Sequence, residues 1–151
     1  MSALTSWSPG DYKRAGDKHY ETCKQLLSNN IKQDQQLQSI LFDIYYLSGY
    51  VIECLLKYYI LIVKHNYKIN NKITKETLDR LGLKDHNIKN LSTIANERGG
   101  KDIKFAKKSS LFKNWSEQIR YGLKSSVELT KKDIITYFDE ISEVRNELKK
   151  I

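Results

Sequence analysis

Apolar residues recur every three or four positions along most of this chain, which predicts α-helices. The longest such stretch begins around Asp34 and runs to about His65, so the helix would span roughly 45 Å. Its back face is not polar, because Phe42, Tyr46 and Tyr50 lie off the main stripe. A helix that is apolar on more than one side is buried by several neighbours. We therefore expect this segment to be the central helix of a bundle.

Shorter amphipathic helices are predicted around it. Ser8 and Pro9 favour a helix start, and Thr130-x-x-Asp133 is a capping box that opens the last helix. The remaining helices are expected from 9 to about 28, from 74 to about 82, within 83–100, along 112–123 and from 131 onwards. No β-hairpin signal is present. The predicted fold is an all-α, up-and-down bundle of four to six helices around one long central helix, with residues 1–151 forming a single domain.

The positive charge is concentrated in the middle of the chain. The net charge is +8, and residues 57–113 hold 14 Lys or Arg against 5 Asp or Glu. Within this region, residues 101–113 are predicted to form a basic loop. Such a region suits a polyanion such as RNA or DNA. A solvated, lysine-rich surface is the alternative, since 12 of the 14 cations are lysines.

Several kinds of chemistry lack their usual motifs in this sequence. The three histidines are scattered, and there is no CxxC, no HExxH, no phosphate-binding glycine loop and no nucleophile elbow. We therefore expect no metal and no cofactor. Cys23 and Cys54 lie in apolar runs, as buried reduced thiols do. No signal peptide is apparent, and the apolar segment 51–63 is too short to span a bilayer. We therefore expect a cytoplasmic protein with no membrane partner.

A few polar residues stand in unexpected positions. Gly49, Glu53 and Lys57 form a ridge on the central helix, and we expect Glu53 and Lys57 to form an ion pair at the bundle edge. Gly49 costs stability unless another backbone approaches it closely. Arg145 lies on the apolar stripe of the last helix. A charged guanidinium on a buried face needs a partner, which would be an acid, a phosphate or a second subunit.

The segment YLSGYVIECLLKYYI (46–60) resembles the central helix of HEPN domains (higher eukaryotes and prokaryotes nucleotide-binding), in which a GY–x–x–E–x–x–L–K pattern recurs. Three other pieces fit the family in order. They are the first helix DYKRAGDKHYETCKQLL, the turn LKDHNIKNL with its H–x–φ–x–x–L pattern, and the late element WSEQIRYG (115–122). The resemblance implies a helical bundle that forms homodimers.

Many members of the HEPN family, which this sequence resembles, are metal-independent ribonucleases of toxin–antitoxin or phage-defence systems. The resemblance implies a catalytic Arg, followed by Asn, Asp or His, with a His shortly after it in a late helix. Arg145-Asn146 matches the first half, but no histidine follows in this sequence. Two other pairs, Arg14 with His19 and Arg80 with His86, have the four to six intervening residues of the family pattern. We attribute them to chance, because neither Arg lies in the late helix and neither is followed by Asn, Asp or His.

The sequence therefore favours a HEPN-like module that binds RNA or a nucleotide in a prokaryotic defence or toxin–antitoxin system and lacks the standard ribonuclease chemistry. The residues expected to contact phosphate are Arg120, Tyr121, Arg145, Lys101, Lys104, Lys107, Lys108 and Lys113. Glu53, Lys57 and Trp115 would order the site.

Two alternatives stay open. One is a divergent metal-independent endoribonuclease, in which Arg145 stabilises the phosphorane while His86 or Tyr121 transfers a proton. The other is an adaptor or inhibitor subunit whose basic region binds an acidic protein. A cognate partner such as a nucleotidyltransferase-like antitoxin is possible under the resemblance.

Overall fold

The fold is helical. A computed structural model describes residues 6–28, 34–84, 86–96, 115 and 129–149. Within these residues the α-helices are α1 (Pro9–Ser28), α2 (Asp34–Tyr59), α3 (Lys75–Arg80), α4 (Ile88–Asn96) and α5 (Lys131–Lys149). A π-helical turn, Ile60–Lys64, continues α2. This confirms the all-α prediction and the extent of the long helix.

One small feature was not predicted from the sequence. Residues Ser6–Trp7 (β1) and Ile73–Thr74 (β2) form an antiparallel pair, in which Trp7 lies opposite Ile73. Each strand has two residues, which is too short to leave an alternating pattern of apolar and polar positions. The pair joins the start of α1 to the start of α3.

The helix starts follow the predicted caps. The Ser8 hydroxyl accepts from Asp11 N at 3.2 Å, and the Asp11 carboxylate accepts from Ser8 N at 2.8 Å, which is a reciprocal capping box. Thr130 caps α5 in the same way by accepting from Asp133 N at 3.1 Å. These bonds satisfy N–H groups that have no partner within a first helical turn.

Helix α2 is the centre of the bundle. Helix α1 packs antiparallel to it, since Cys23 lies beside Ile44 and Gly16 lies beside Leu55. Helix α5 runs parallel to α2, as the Tyr45–Tyr137 ring contact and the bond from Gln38 Nε2 to Leu129 O indicate. The segment from Val51 to Leu61 is buried throughout. The neighbours cover the C-terminal half of α2 on every side, which confirms its predicted central place.

Among the described residues, one helical stretch has the length and composition to cross a membrane. It is Gln38–Lys64, and 72% of its most apolar part is buried inside the protein. It is longer than the segment 51–63 on which the sequence prediction was based. The mostly buried central helix of a bundle meets the same criteria of length and composition.

Candidate functional site

The ridge of Gly49, Glu53 and Lys57 on α2 begins with a close aromatic contact. A Cβ atom at Gly49 would lie 1.8 Å from Cε2 of Trp115, so only glycine leaves room for the indole ring. The Trp115 indole N–H donates to the carbonyl of Tyr46 at 3.0 Å, and its ring meets Tyr50 edge to face. The close neighbour of Gly49 is therefore a side chain rather than another backbone.

Glu53 and Lys57 form the predicted ion pair, but not at the edge of the bundle. The two residues are 4% and 5% exposed, and Lys57 Nζ lies 3.8 Å from Glu53 Oε2. The interpretation of an edge pair is wrong, because this face of α2 is covered by α1 and α4 rather than by solvent. Two charges taken out of water must satisfy each other, and loss of either partner leaves an uncompensated buried charge.

His86 joins this pair from the turn before α4. Its Nδ1 atom lies 2.7 Å from Glu53 Oε1, while its side chain is 44% exposed. The Glu53 carboxylate is thus shared between a buried ammonium group and a ring that reaches the surface. A carboxylate on one nitrogen fixes the orientation of an imidazole ring, an arrangement that general acids and bases use.

Tyr12 on α1 completes the cluster. Its ring lies 5.8 Å from Lys57 Nζ, within reach of a cation–π interaction. Burial raises the pKa of the Tyr12 hydroxyl to about 12, and nearby Cys54 and Glu53 add to this rise. The hydroxyl therefore stays protonated at neutral pH. We call Tyr12, Glu53, Lys57 and His86 the α2 cluster.

The ridge of Gly49, Glu53 and Lys57 contacts each of the other three pieces of sequence on which the HEPN resemblance depends. Gly49 contacts Trp115 of the late element, Glu53 contacts His86 of the H–x–φ–x–x–L turn, and Lys57 contacts Tyr12 of the first helix. The sequence placed these pieces in order but gave no reason for them to touch.

Arg145 lies in a second ionic site, between α5 and α1. Its Nη2 donates to Asp17 Oδ1 at 3.0 Å, and its guanidinium Cζ lies 4.0 Å from the centroid of the Tyr20 ring. Of the partners that the sequence required for Arg145, the structure supplies an acid. Asp17 and Tyr20 were missed at the sequence level, because a contact between residues 128 positions apart leaves no local pattern.

The thiols are unsuited to catalysis. Burial raises the pKa of both Cys23 and Cys54 to about 12, so neither thiolate forms near neutral pH. His19 is half-buried on α1, and burial, together with the charge of Lys18, lowers its pKa. Within the described part of the chain, no group of three His, Cys, Asp or Glu side chains is placed to hold a metal.

The other predicted phosphate contacts cannot be placed. Arg120, Tyr121 and the loop lysines all lie outside the residues that the structure describes; the loop lysines are Lys101, Lys104, Lys107, Lys108 and Lys113. Of the late element, Trp115 is described. The structure brings His86 to Glu53 and Lys57, and it places Arg145 against Asp17.

No family model, no curated protein and no solved structure matches this chain. The HEPN resemblance therefore remains a prediction from the motifs, and function has to be argued from the residues themselves.

Proposed function

We propose that this chain is a HEPN-like helical domain that binds RNA or a nucleotide mainly through phosphate contacts, as a cytoplasmic homodimer in a prokaryotic defence or toxin–antitoxin system. The contacts of the α2 cluster support the family part of this proposal. In this account Glu53, Lys57 and Trp115 fix the turns and helices around α2, and surface cations bind the ligand.

The observation that carries the proposal is the exposure of the cations after α2. Residues 64–89 hold seven Lys or Arg and three Asp or Glu. Six of the seven cations are exposed, and they are Lys68, Lys72, Lys75, Arg80, Lys84 and Lys89. Lys72 pairs with Asp11, whereas Lys68, Lys84 and Lys89 form no ion pair within the described residues. Cations without internal partners are available to the phosphates of a ligand.

Binding without cleavage is favoured by the position of Arg145. A guanidinium that stabilises a phosphorane has to reach the reacting phosphate. Arg145 and His86, the two groups assigned to that reaction, contact different partners, Asp17 and Glu53. We therefore place RNA or nucleotide binding ahead of ribonuclease activity.

The test is the affinity for a fluorescein-labelled oligouridylate of about 12 nucleotides, measured by anisotropy near 0.1 M salt. The test variant is Lys68→Gln/Lys84→Gln/Lys89→Gln. The matched control, Lys18→Gln/Lys24→Gln/Lys132→Gln, also removes three exposed lysines, so both variants have a net charge of +5 instead of +8.

We expect the test variant to bind at least about tenfold more weakly, since each phosphate contact adds to affinity through counterion release. The control should stay within about threefold of the unaltered protein. Equal losses in the two variants would mean that net charge alone attracts the RNA, and would contradict a binding role for residues 64–89. Absence of binding by the unaltered protein would refute the proposal.

The His86–Glu53 hydrogen bond favours a second candidate, the divergent endoribonuclease. In that function His86, oriented by the buried carboxylate and 44% exposed, would take the proton from the RNA 2′-hydroxyl. The assay is RNA cleavage in EDTA by the unaltered protein, His86→Gln and Arg145→Ala. Cleavage that His86→Gln abolishes would establish this candidate, whereas cleavage that persists equally in both variants would come from a contaminant or another site.

A further inference from the structure

We propose that Arg145 is a phosphate-binding group that Asp17 covers in the free protein, and that a phosphate of the ligand displaces Asp17. The inference rests on the proposed function, because it takes phosphate as the ligand. It adds a binding group and an internal competitor to the lysines described above.

The guanidinium of Arg145 is held in a fixed position by the aromatic ring beneath it. Tyr20 lies with its centroid 4.0 Å from Arg145 Cζ. The Tyr20 ring is itself fixed, because it stacks on Phe138 at 5.1 Å between centroids with an angle of 17°, and its hydroxyl lies 3.1 Å from Ser142 Oγ. A guanidinium oriented before the ligand arrives loses less entropy on binding.

Asp17 satisfies only part of the donor capacity of this guanidinium. Nη2 donates to one carboxylate oxygen, while Nε of Arg145 is buried and meets no acceptor among the described residues. Arginine binds carboxylates and phosphates most strongly when two of its N–H groups donate in parallel. Once Asp17 has moved, a phosphate would accept from Nη2 and Nε together, a geometry that Asp17 does not adopt in this structure.

Asp17 is the more accessible member of the pair, so it is the one that we expect the ligand to displace. Its side chain is 33% exposed, compared with 14% for Arg145. An ion pair that solvent reaches is held less strongly than a buried one, so the ligand has less to overcome here than at the Glu53–Lys57 pair. Displacement would place a phosphate at the α1–α5 contact with the Tyr20 ring as its floor.

The experiment follows the Arg145 side-chain Nε–H signal by NMR during titration with inorganic phosphate and, separately, with the oligouridylate. Asp17→Asn keeps the size of the side chain and removes the competing charge. Asp43→Asn is the matched control, since Asp43 is an exposed carboxylate on α2 and its change alters net charge equally. Arg145→Met identifies the signal and removes the site.

We expect the Arg145 signal to shift on titration, and Asp17→Asn to bind about three- to fivefold more tightly while Asp43→Asn changes affinity by less than about twofold. A shift with inorganic phosphate would indicate a site for a phosphate monoester, and a shift with the oligouridylate alone would indicate an RNA diester. Both results support the proposal.

An Arg145 signal that neither ligand moves, in the unaltered protein and in Asp17→Asn, would overturn the inference. If the oligouridylate still binds and Lys68→Gln/Lys84→Gln/Lys89→Gln still weakens it, the proposed function survives that result. If the oligouridylate does not bind at all, both fail together.

Discussion

The two ionic sites of this bundle differ in burial and in how their members are connected. In the α2 cluster, Glu53 and Lys57 lie one turn apart on the same helix, and both are almost completely buried. At the other site, Arg145 of α5 reaches Asp17 of α1, and Asp17 keeps a third of its side chain exposed. The first is fixed within the core, and the second is a contact that solvent can reach.

This difference separates a structural role from a binding role. A charge in the core cannot leave its partner without a large desolvation cost, so Glu53 and Lys57 are suited to ordering the turn that carries His86. A pair whose carboxylate is one-third exposed can exchange one anion for another at a lower cost than a buried pair. We therefore assign ligand binding to the surface cations and Arg145, and assign positioning to Glu53 and Lys57.

The largest effect should come from breaking the buried pair. Lys57→Met leaves Glu53 as a buried carboxylate without its ammonium partner and should lower the free energy of unfolding by about 3–5 kcal/mol. Glu53→Met/Lys57→Met should recover most of that loss, because two apolar side chains need no partner. Urea unfolding measures both, and a loss below about 1 kcal/mol in Lys57→Met would place the pair in solvent.

Substitution of Gly49 should have the next largest effect on stability, and the sign of that effect should depend on Trp115. Gly49→Ala should destabilise by about 1–3 kcal/mol because its methyl group collides with the Trp115 ring. In a Trp115→Ala background the same change should stabilise by up to about 1 kcal/mol, since alanine favours the helix over glycine. Destabilisation of equal size in both backgrounds would show that the Trp115 ring does not pack against Gly49.

Breaking the exposed pair should have a smaller effect. Arg145→Met should cost about 1–2 kcal/mol, of which the ion pair with Asp17 contributes less than about 1 kcal/mol and contact with Tyr20 the rest. A double-mutant cycle with Asp17→Asn measures the coupling, which should shrink at high salt. A salt-independent coupling above about 3 kcal/mol would make Arg145 a core residue like Lys57, and the comparison would fail.

The smallest effect concerns His19, whose pKa burial lowers. The folded protein favours the neutral ring, so the contribution of His19 is fully present above the unfolded value of 6.5 and is lost as pH falls through the lower folded pKa. His19→Gln should therefore reduce the loss of stability between about pH 7.5 and about pH 5. An unchanged profile of melting temperature against pH would contradict the lowered pKa.

Local patterns allowed much of the fold to be predicted. The extent of α2 follows from its unbroken apolar period, and the starts of α1 and α5 follow from Ser8 and Thr130 acting on N–H groups three residues away. Each of these depends on neighbours within a few turns. Local patterns did not predict the long-range contacts, which include the β1–β2 pair and the packing of Trp115 on Gly49.

The candidate site shows the same division. Glu53, Lys57 and Arg145 were identified from the sequence as polar residues in unusual places, and the Glu53–Lys57 spacing predicted that those two residues pair. His86 was identified through the HEPN resemblance. The burial of the Glu53–Lys57 pair was not predicted, because an ion pair four residues apart has the same spacing in a core as on a surface. The partner of Arg145 depends on how α1 and α5 cross, and spacing within one helix carries no information about that.

The salt dependence of RNA binding is the measurement that decides whether the cations following α2 bind RNA phosphates. The logarithm of the affinity for the oligouridylate, measured between about 50 and 200 mM salt, should fall linearly, and Lys68→Gln/Lys84→Gln/Lys89→Gln should reduce the slope by about 2. This is the change expected when three phosphate contacts to a single strand are lost. A slope that is near zero, or that is the same in this variant as in the unaltered protein, would contradict the binding of RNA phosphates by the cations that follow α2.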